Sequence, residues 1–262
     1  MESSKWQVPE YNVLELKAKT SKYCVCIPII NEGKRIQTQL KRMAQQEIHK
    51  IADIILLDAG STDGSLEENF LKEVYVRTLL TKTGPGKQGA QLRMGFAYSL
   101  VQGYEGIITV DGNNKDSVES IPLFLQKLEE GWDMVQGSRY LEGGRGINTP
   151  FIRHWAVKLI HIPLISIASG FGYTDTTNAF RAYKAQVLED ARLNPFRDIF
   201  VRYELLAYLS VRIPRLGYKV CEVPVTRSYP QGQKAPTKIS FIQGNSNLLI
   251  TLFKTICGKF NP

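Results

Sequence analysis

The chain has 262 residues, of which 43% are hydrophobic and 22% are charged. This length and composition suffice for a large buried core, which excludes a disordered or low-complexity protein. The formal net charge of +8 favours anionic partners. Lys and Arg are spread along the whole chain without a basic tail, so the pattern argues against nucleic acid as a partner.

Strands and helices alternate from residue 22 to about residue 139. Apolar runs predict strands at 23–30, 51–58, 74–80, 106–111 and 133–138, and helices at 34–46, after Asp63, at 87–102 and at 117–130. Strands separated by helical spacers of this length indicate parallel β-α-β units with right-handed crossovers. The first half is therefore predicted to be a mostly parallel, Rossmann-like sheet flanked by helices.

The pattern changes after Tyr140 without a break in the domain. A Gly-rich loop leads to a long apolar helix, and strands are predicted at 176–183 and 219–229 with a helix at 203–213 between them. We predict a single α/β domain at 22–230 with an elaborated C-terminal half. An N-terminal extension at 1–21 precedes it, and a basic loop with a C-terminal amphipathic helix follows at 231–262.

The sequence pattern predicts neither a signal peptide nor a membrane-spanning helix. The first 22 residues lack an apolar run, and the most apolar window, 156–173, is interrupted by Lys158 and Pro163. The window is predicted to be a buried or surface-lying helix, and the C-terminal helix is predicted to pack on the domain or to lie at a membrane interface. We expect a cytoplasmic protein, with peripheral attachment to the inner face of the membrane as an open alternative.

Few residues are available for zinc, redox or hydrolase chemistry. Cys24 and Cys26 alternate on one face of a strand, which is typical of free thiols packed as small hydrophobes. The chain has three histidines, which gives a zinc site or a Ser-His-Asp triad little to build on. The segment KTGPGKQG resembles a phosphate-binding P-loop, but Thr81 and Gln88 stand at positions that the motif requires to be Gly and Ser or Thr.

Two acidic residues stand where predicted strands end. Asp58 ends the apolar run 51–58 and precedes the turn AGSTDGS, and Asp111 ends the run 106–111 and precedes GNNKD. Ligands of open α/β sheets bind outside the carboxyl ends of the strands, so both residues are predicted to face one crevice. A plain Asp-Gly turn is the alternative for either residue alone. Two such acids on neighbouring strands favour a binding site for a cation and the phosphates that it carries.

Seven motifs resemble those of family 2 glycosyltransferases, the inverting enzymes with the GT-A fold. They are CIPIINEG, LLDAGSTDGS, GPGKQGAQLRMG, VDGNNKD, VQGSRYLEGG, TDTTNAFRAY and RLGYKVCEVPVT, in the order expected of the family. The last motif and GSRY followed by GG are similar to the catalytic part of polyprenyl-phosphate sugar synthases such as dolichol-phosphate mannose synthase. The resemblance implies a nucleotide-binding half at 22–139 and an acceptor half at 140–230.

The resemblance also implies which residues bind the nucleoside diphosphate sugar. It places Pro28, Asn31 and Glu32 at the base and ribose, and Asp58 as the acceptor of a base N–H. Lys87 and Arg93 follow a Gly-rich turn, where they touch phosphates or, equally, form a solvated helix face.

The family's Asp-x-Asp motif binds Mg²⁺ or Mn²⁺ against the diphosphate, and it matches Asp111, Gly112 and Asn113. The second acid of that motif is a carboxamide here. It brings one fewer negative charge, so either Asn113 completes the metal site or Asp116 assists.

The acceptor half carries the candidates for the reacting groups. Asp175 matches the family's acidic residue near the reacting sugar and is predicted to be the general base or to orient the sugar. If the acceptor is a lipid phosphate, no strong base is required, and basic side chains form an anion pocket. The candidates for that pocket are Arg139, Arg181, Arg227, Lys234 and Lys238, each of which is equally a surface charge when taken singly.

These inferences predict an inverting glycosyltransferase, assisted by Mg²⁺ or Mn²⁺, with a nucleoside diphosphate sugar as donor. The acceptor is predicted to be a lipid-linked polyprenyl phosphate or a glycan. A sugar-phosphate nucleotidyltransferase is an alternative, although the first strand lacks the Gly-rich basic loop which that activity needs. A non-catalytic nucleotide-binding module of the same fold is the other alternative. The sequence leaves the oligomeric state open, with a homodimer as one possibility.

Overall fold

A twisted eight-stranded sheet lies at the centre of the computed structural model, which describes residues 6–230 and 250–262. Its strands, in chain order, are β1 (Tyr11–Glu15), β2 (Tyr23–Ile29), β3 (Asp53–Asp58), β4 (Val76–Lys82), β5 (Gly106–Thr109), β6 (Met134–Ser138), β8 (Arg181–Lys184) and β9 (Val220–Pro224). Their spatial order is β1-β4-β3-β2-β5-β8-β6-β9. A separate parallel pair joins β7 (Arg145–Ile147) to β10 (Thr226–Ser228).

Helices cover both faces of this sheet. They are α1 (Lys34–Gln45), α2 (Glu68–Glu73), α3 (Gln88–Val101), α4 (Ile121–Glu129), α5 (Phe151–Ala156), α6 (Ile162–Ser169), α7 (Ala185–Leu188) and α8 (Glu204–Arg215). A π-helical turn, Val157–His161, joins α5 to α6, and residues 250–256 are also helical. Within the described ranges, no helix is both long and apolar enough to cross a bilayer. The predicted α/β class with a mostly parallel sheet is confirmed.

Strand β2 shows why these segments form a buried parallel sheet. Cys24 and Cys26 face one hydrophobic core, whereas Val25 and Ile27 face the other. Both faces of the strand are therefore buried, as expected of a parallel sheet that is covered by helices on each side. The two thiols are free and buried, and Cys24 Sγ donates to Ser99 Oγ at 3.3 Å.

Two strands lie where the sequence patterns did not place them. β1 belongs to the predicted extension 1–21, yet it pairs antiparallel with β4, so the sheet begins before residue 22. β8 inserts antiparallel between β5 and β6, although the pattern predicted that β6 directly closes the parallel series. Strand pairing between segments distant in sequence is not encoded in local hydrophobic periodicity, which explains both differences.

Candidate functional site

The candidate site lies at the carboxyl ends of β2, β3 and β5. Asp58 is the last residue of β3, and Asp111 follows β5 by two residues. The two strands are not direct neighbours, because β2 lies between them. Gln91 of α3 donates to the carbonyls of Ile29 at 2.9 Å and Leu57 at 2.6 Å, which fixes the start of this helix against the ends of β2 and β3.

The Asp58 carboxylate shapes its own turn. It accepts hydrogen bonds from the Gly60 N–H and from the Ser61 N–H, each at 3.0 Å, and from the Ser61 hydroxyl. A carboxylate has about four lone-pair sites, and these three donors use most of them. The predicted contact with a nucleobase N–H would share the Asp58 carboxylate with the donors of its own turn.

The loops after β2 and β3 are joined to each other. Asn31, at φ +46°, donates from its backbone N–H to the Ser61 hydroxyl at 2.9 Å and accepts the Thr62 N–H at 2.8 Å. Glu32 forms an ion pair with Arg35 at 2.9 Å. Pro28 lies inside β2, opposite Leu57. These placements bring the predicted base and ribose residues to the edge of the same crevice.

Asp111 is held from two sides of the crevice. Its Oδ1 accepts from Gln88 Nε2 at 3.1 Å, and its Oδ2 accepts from Arg227 Nη2 at 3.0 Å. Its side chain keeps 19% exposure. At the next position a Cβ would approach Ile29 Cγ2 to 2.2 Å, so only glycine fits at Gly112. The tight packing against β2 fixes the direction in which the motif leaves the strand.

Asn113 lies beside Asp111 with its amide nitrogen toward that carboxylate, so the amide must turn for its oxygen to reach an ion on Asp111. Its Nδ2 is 3.5 Å from Asp111 Oδ2, and its Oδ1 accepts the Lys115 N–H at 3.3 Å. One carboxylate and one carboxamide oxygen fit Mg²⁺ or Mn²⁺, which bind through one or two carboxylates together with substrate phosphates. Among the described residues, no group of three or more His, Cys, Asp or Glu could hold a metal ion.

Asp116 does not share the exposure of Asp111. It is 1% exposed, and Arg227 Nη1 donates to its Oδ2, whereas its Oδ1 is buried without a hydrogen-bond partner. Burial raises the pKa of Asp116 above its ordinary value, and the opposing charge of Arg227 does not reverse this direction. The alternative in which Asp116 assists the metal would require this buried carboxylate to become accessible.

The structure assigns Asp175 and Arg139 to a buried ion pair. Arg139 Nε and Nη2 donate to the two carboxylate oxygens of Asp175 at 2.7 and 2.9 Å, and Thr177 N–H donates to Oδ1 at 3.1 Å. Burial opposes the charged carboxylate, but the hydrogen bonds and charge of Arg139 outweigh it and lower the pKa of Asp175. Asp175 is 0% exposed, so an acceptor cannot reach its carboxylate and the residue is not in a position to act as a general base. Arg139, 3% exposed, is not placed as a free phosphate ligand.

Two of the predicted phosphate ligands are directed to backbone carbonyls instead. Arg93 donates to the carbonyl of Gln7, and burial lowers its pKa. Arg181 donates to the carbonyls of Asn178, Leu206 and Thr176 at 3.0, 2.7 and 3.1 Å. Both guanidinium groups are buried and thus play a structural role, which corrects the predicted phosphate contacts.

The remaining predicted cations divide between the surface and the segment outside the described residues. Lys87 is exposed at the residue that precedes α3, and its backbone N–H donates to the Val201 carbonyl at 2.9 Å. Lys234 and Lys238 lie outside the described residues.

Gln88 and Gln91 were missed by sequence reasoning. Both follow the Gly-rich turn at a spacing of three residues, which places them on one face of the first turn of α3.

Comparisons with known proteins identify the family of the chain. A family model described as "Glycosyl transferase family 2" matches residues 24–192. The undecaprenyl-phosphate mannosyltransferase of Micrococcus luteus is 29% identical over 206 residues, which cover 76% of this chain and 81% of that protein. The polyprenol monophosphomannose synthase of Mycolicibacterium smegmatis is 27% identical over 240 residues, which cover 90% and 86%.

Solved structures share the fold. Glucosyl-3-phosphoglycerate synthase of Mycobacterium tuberculosis with phosphoglyceric acid matches at a TM-score of 0.64 and 17% identity, over 90% of this chain and 80% of that chain. The same enzyme with Mn²⁺ and UDP-glucose also matches at a TM-score of 0.64 and 17% identity, over 90% and 79%. At this identity the likeness establishes the fold.

Proposed function

Because the chain belongs to glycosyl transferase family 2, we propose that this glycosyltransferase moves a sugar from a nucleoside diphosphate onto a polyprenyl phosphate. The observation that carries the donor half of this proposal is the position of Asp111 and Asn113 at the crevice of the sheet. The polyprenyl-phosphate acceptors in the names of the two bacterial relatives support the acceptor half.

The proposed reaction is a direct displacement at the anomeric carbon. A phosphate oxygen of the acceptor forms the new bond to this carbon on the face opposite the diphosphate. The bond to the diphosphate oxygen breaks, and the diphosphate leaves with the electron pair. A phosphate monoester is already an anion at pH 7, since its second pKa is about 6, so it needs no proton removed by the protein. This agrees with a buried, ion-paired Asp175.

Asp111 and Asn113 would hold Mg²⁺ or Mn²⁺ in this site. The ion, when bound, supplies positive charge to the diphosphate leaving group. Gln88 fixes the orientation of Asp111, and Gly112 fixes the path of the chain between the two ligands. Two facts support this assignment: the resemblance to the family's Asp-x-Asp motif, and the presence of Mn²⁺ with UDP-glucose in the glucosyl-3-phosphoglycerate synthase complex that shares the fold.

The proposal is tested by assaying purified protein against a panel of nucleoside diphosphate sugars with Mn²⁺. We expect transfer from one donor class to a short-chain polyprenyl phosphate, with inversion at the anomeric carbon and loss of activity in a metal chelator. The matched control is the same polyprenol without its phosphate, which should not be glycosylated. Glycosylation of the phosphate-free alcohol would contradict the proposal. So would a failure of every tested donor to support transfer.

An apolar helical surface supports action at a membrane. Large hydrophobic side chains are exposed along α5, the π-helical turn and α6, and continue on residues 250–256. They include Phe151 (77% exposed), Ile152, Leu159, Ile167 (76%) and Phe253 (70%). Leu164 of α6 and Phe253 line one groove, so the two stretches adjoin. We define these exposed side chains as the apolar face.

Exposed lysines border the apolar face. Lys158 belongs to the π-helical turn, and Lys254 and Lys259 line the groove shared with α6. Such a combination fits an anionic lipid surface, because the apolar side chains enter the headgroup boundary and the lysines contact lipid phosphates. Lys158 also lies 4.9 Å from the ring centre of Tyr140, which follows Arg139. The apolar face therefore lies in the acceptor half and reaches Tyr140, the residue after Arg139.

Replacing Phe151 and Ile167 together by Ser should weaken binding to anionic vesicles by roughly tenfold or more, because the protein then buries less apolar surface in the lipid. Sedimentation with vesicles of phosphatidylglycerol and phosphatidylcholine measures the loss. Val101→Ser on α3 is the matched control, since Val101 is 67% exposed outside the apolar face. Equal sedimentation of all three proteins would contradict a membrane role for this face.

A further inference from the structure

Arg227 lies between the two carboxylates of the strand-end loop. Its Nη2 donates to Asp111 Oδ2 at 3.0 Å, and its Nη1 donates to Asp116 Oδ2. The Arg227 side chain is 8% exposed, compared with 19% for Asp111 and 0% for Asp116. One guanidinium therefore forms a buried contact with one acid and a more accessible contact with the other.

The backbone fixes this position. The Ser117 N–H donates to the Thr226 carbonyl at 2.9 Å, and the Ser228 N–H donates to the Lys115 carbonyl at 2.8 Å. Arg227 thus forms an antiparallel bridge to Asp116 on the loop that carries the predicted metal ligands. Its strand, β10, also pairs with β7 of the acceptor half. Strand β10 therefore holds the arginine against the loop, and Arg227 is not a mobile surface cation.

Both oxygens of Asp111 already have a protein donor. Gln88 donates to Oδ1 and Arg227 donates to Oδ2. A carboxylate has about four lone-pair sites, so a divalent ion could still bind Asp111, but it would meet the repulsion of a guanidinium that is within hydrogen-bond distance of the same carboxylate. Because a different nitrogen contacts Asp116, Arg227 can release Asp111 and stay anchored.

We propose that Arg227 is a resident counter-cation of Asp111 that competes with the divalent ion in the free enzyme. This inference rests on the proposed metal site. The negative charge of a nucleoside diphosphate offsets the repulsion between the guanidinium and the ion, so metal and nucleotide bind cooperatively. Arg227 is a positioning residue: it makes tight metal binding conditional on the donor, and the same coupling makes donor binding conditional on the metal.

Removal of the competing charge should reveal the effect in the absence of substrate. Arg227→Gln is expected to tighten Mn²⁺ binding to the free protein by roughly tenfold or more, because a unit positive charge near the ion is lost. The loss of the free Mn²⁺ signal in electron paramagnetic resonance measures this affinity directly. The gain in Mn²⁺ affinity that a nucleoside diphosphate confers should shrink in the variant, since the free state no longer resists the ion.

Two further variants separate competition from other effects. Arg227→Gln leaves a buried, uncompensated Asp116, which can destabilise the fold. The double variant Arg227→Gln with Asp116→Asn removes both charges, keeps the net charge of the loop and should still bind Mn²⁺ more tightly than the wild type. Lys115→Gln is the charge control: it removes a nearby cation that stacks 5.1 Å from the Tyr229 ring centre, and its change should stay below about twofold.

The outcomes are distinct. Tighter Mn²⁺ binding in Arg227→Gln and in the double variant, but not in Lys115→Gln, supports the competition. The competition is overturned if the wild type binds Mn²⁺ but Arg227→Gln and the double variant bind it no more tightly, while thermal unfolding shows that both variants are folded. The proposed metal site stands in that case. No Mn²⁺ binding to any form, with or without nucleoside diphosphate, overturns the metal site and the competition together.

Discussion

Asp111→Ala is expected to lower turnover by roughly 100-fold or more, because metal stabilisation of a leaving group contributes several kcal/mol. The substitution should also abolish the strengthening of nucleotide binding by Mn²⁺. The fold should survive, since Asp111 lies beyond the end of β5 and keeps 19% side-chain exposure. Arg227 retains its contact with Asp116 in this variant, so no buried charge is left without a partner.

Calorimetry with a nucleoside diphosphate, in the presence of Mn²⁺ and in a chelator, measures the expected loss. Asp198→Ala is a suitable control, because it removes an exposed carboxylate from the loop between α7 and α8, outside the strand-end loop that carries Asp111. The control should respond to Mn²⁺ as the wild type does. If Asp111→Ala kept the full Mn²⁺ effect, the metal would have to bind at other residues.

The parallel strands that form the crevice were predictable from the sequence. The segments of β2, β3 and β5 are continuous apolar runs, and burial on both faces of a parallel sheet requires such runs. Helices α1 and α3 start within one residue of the predicted positions. The order of the seven motifs predicted the family, and the family model that matches residues 24–192 confirms it.

The partners of the charged residues were not predictable, because the sequence shows which side chains are charged but not where each one points in the folded protein. Arg93 and Arg181 look like phosphate ligands in the motifs, yet each donates to backbone carbonyls inside the fold. Arg227 is the opposite case: the sequence suggested an acceptor ligand, whereas the bridge between β10 and the strand-end loop brings it to Asp111. Contacts between segments more than a hundred residues apart have no local sequence signal.

Asp175→Asn is expected to destabilise the protein by about 3–5 kcal/mol, the usual cost of removing one partner of a buried ion pair. Arg139 would then be left as a buried guanidinium opposite a neutral amide. Urea unfolding at pH 7 measures the change. The exposed acid Glu142 of the loop after β6 offers a matched control, since Glu142→Gln also neutralises a carboxylate but leaves no buried charge behind.

The pH dependence of this difference follows from the lowered pKa of Asp175. A carboxyl whose pKa is lower in the folded state contributes its full stability above its unfolded pKa, near 3.8, and loses it as the pH falls through the folded value. The gap between wild type and Asp175→Asn should therefore be constant from neutral pH down to about 5 and narrow below about 4. A general base would behave differently, because its loss would abolish turnover at unchanged stability. An Asp175→Asn protein that unfolds at the same urea concentration as the wild type but is inactive would restore the catalytic assignment.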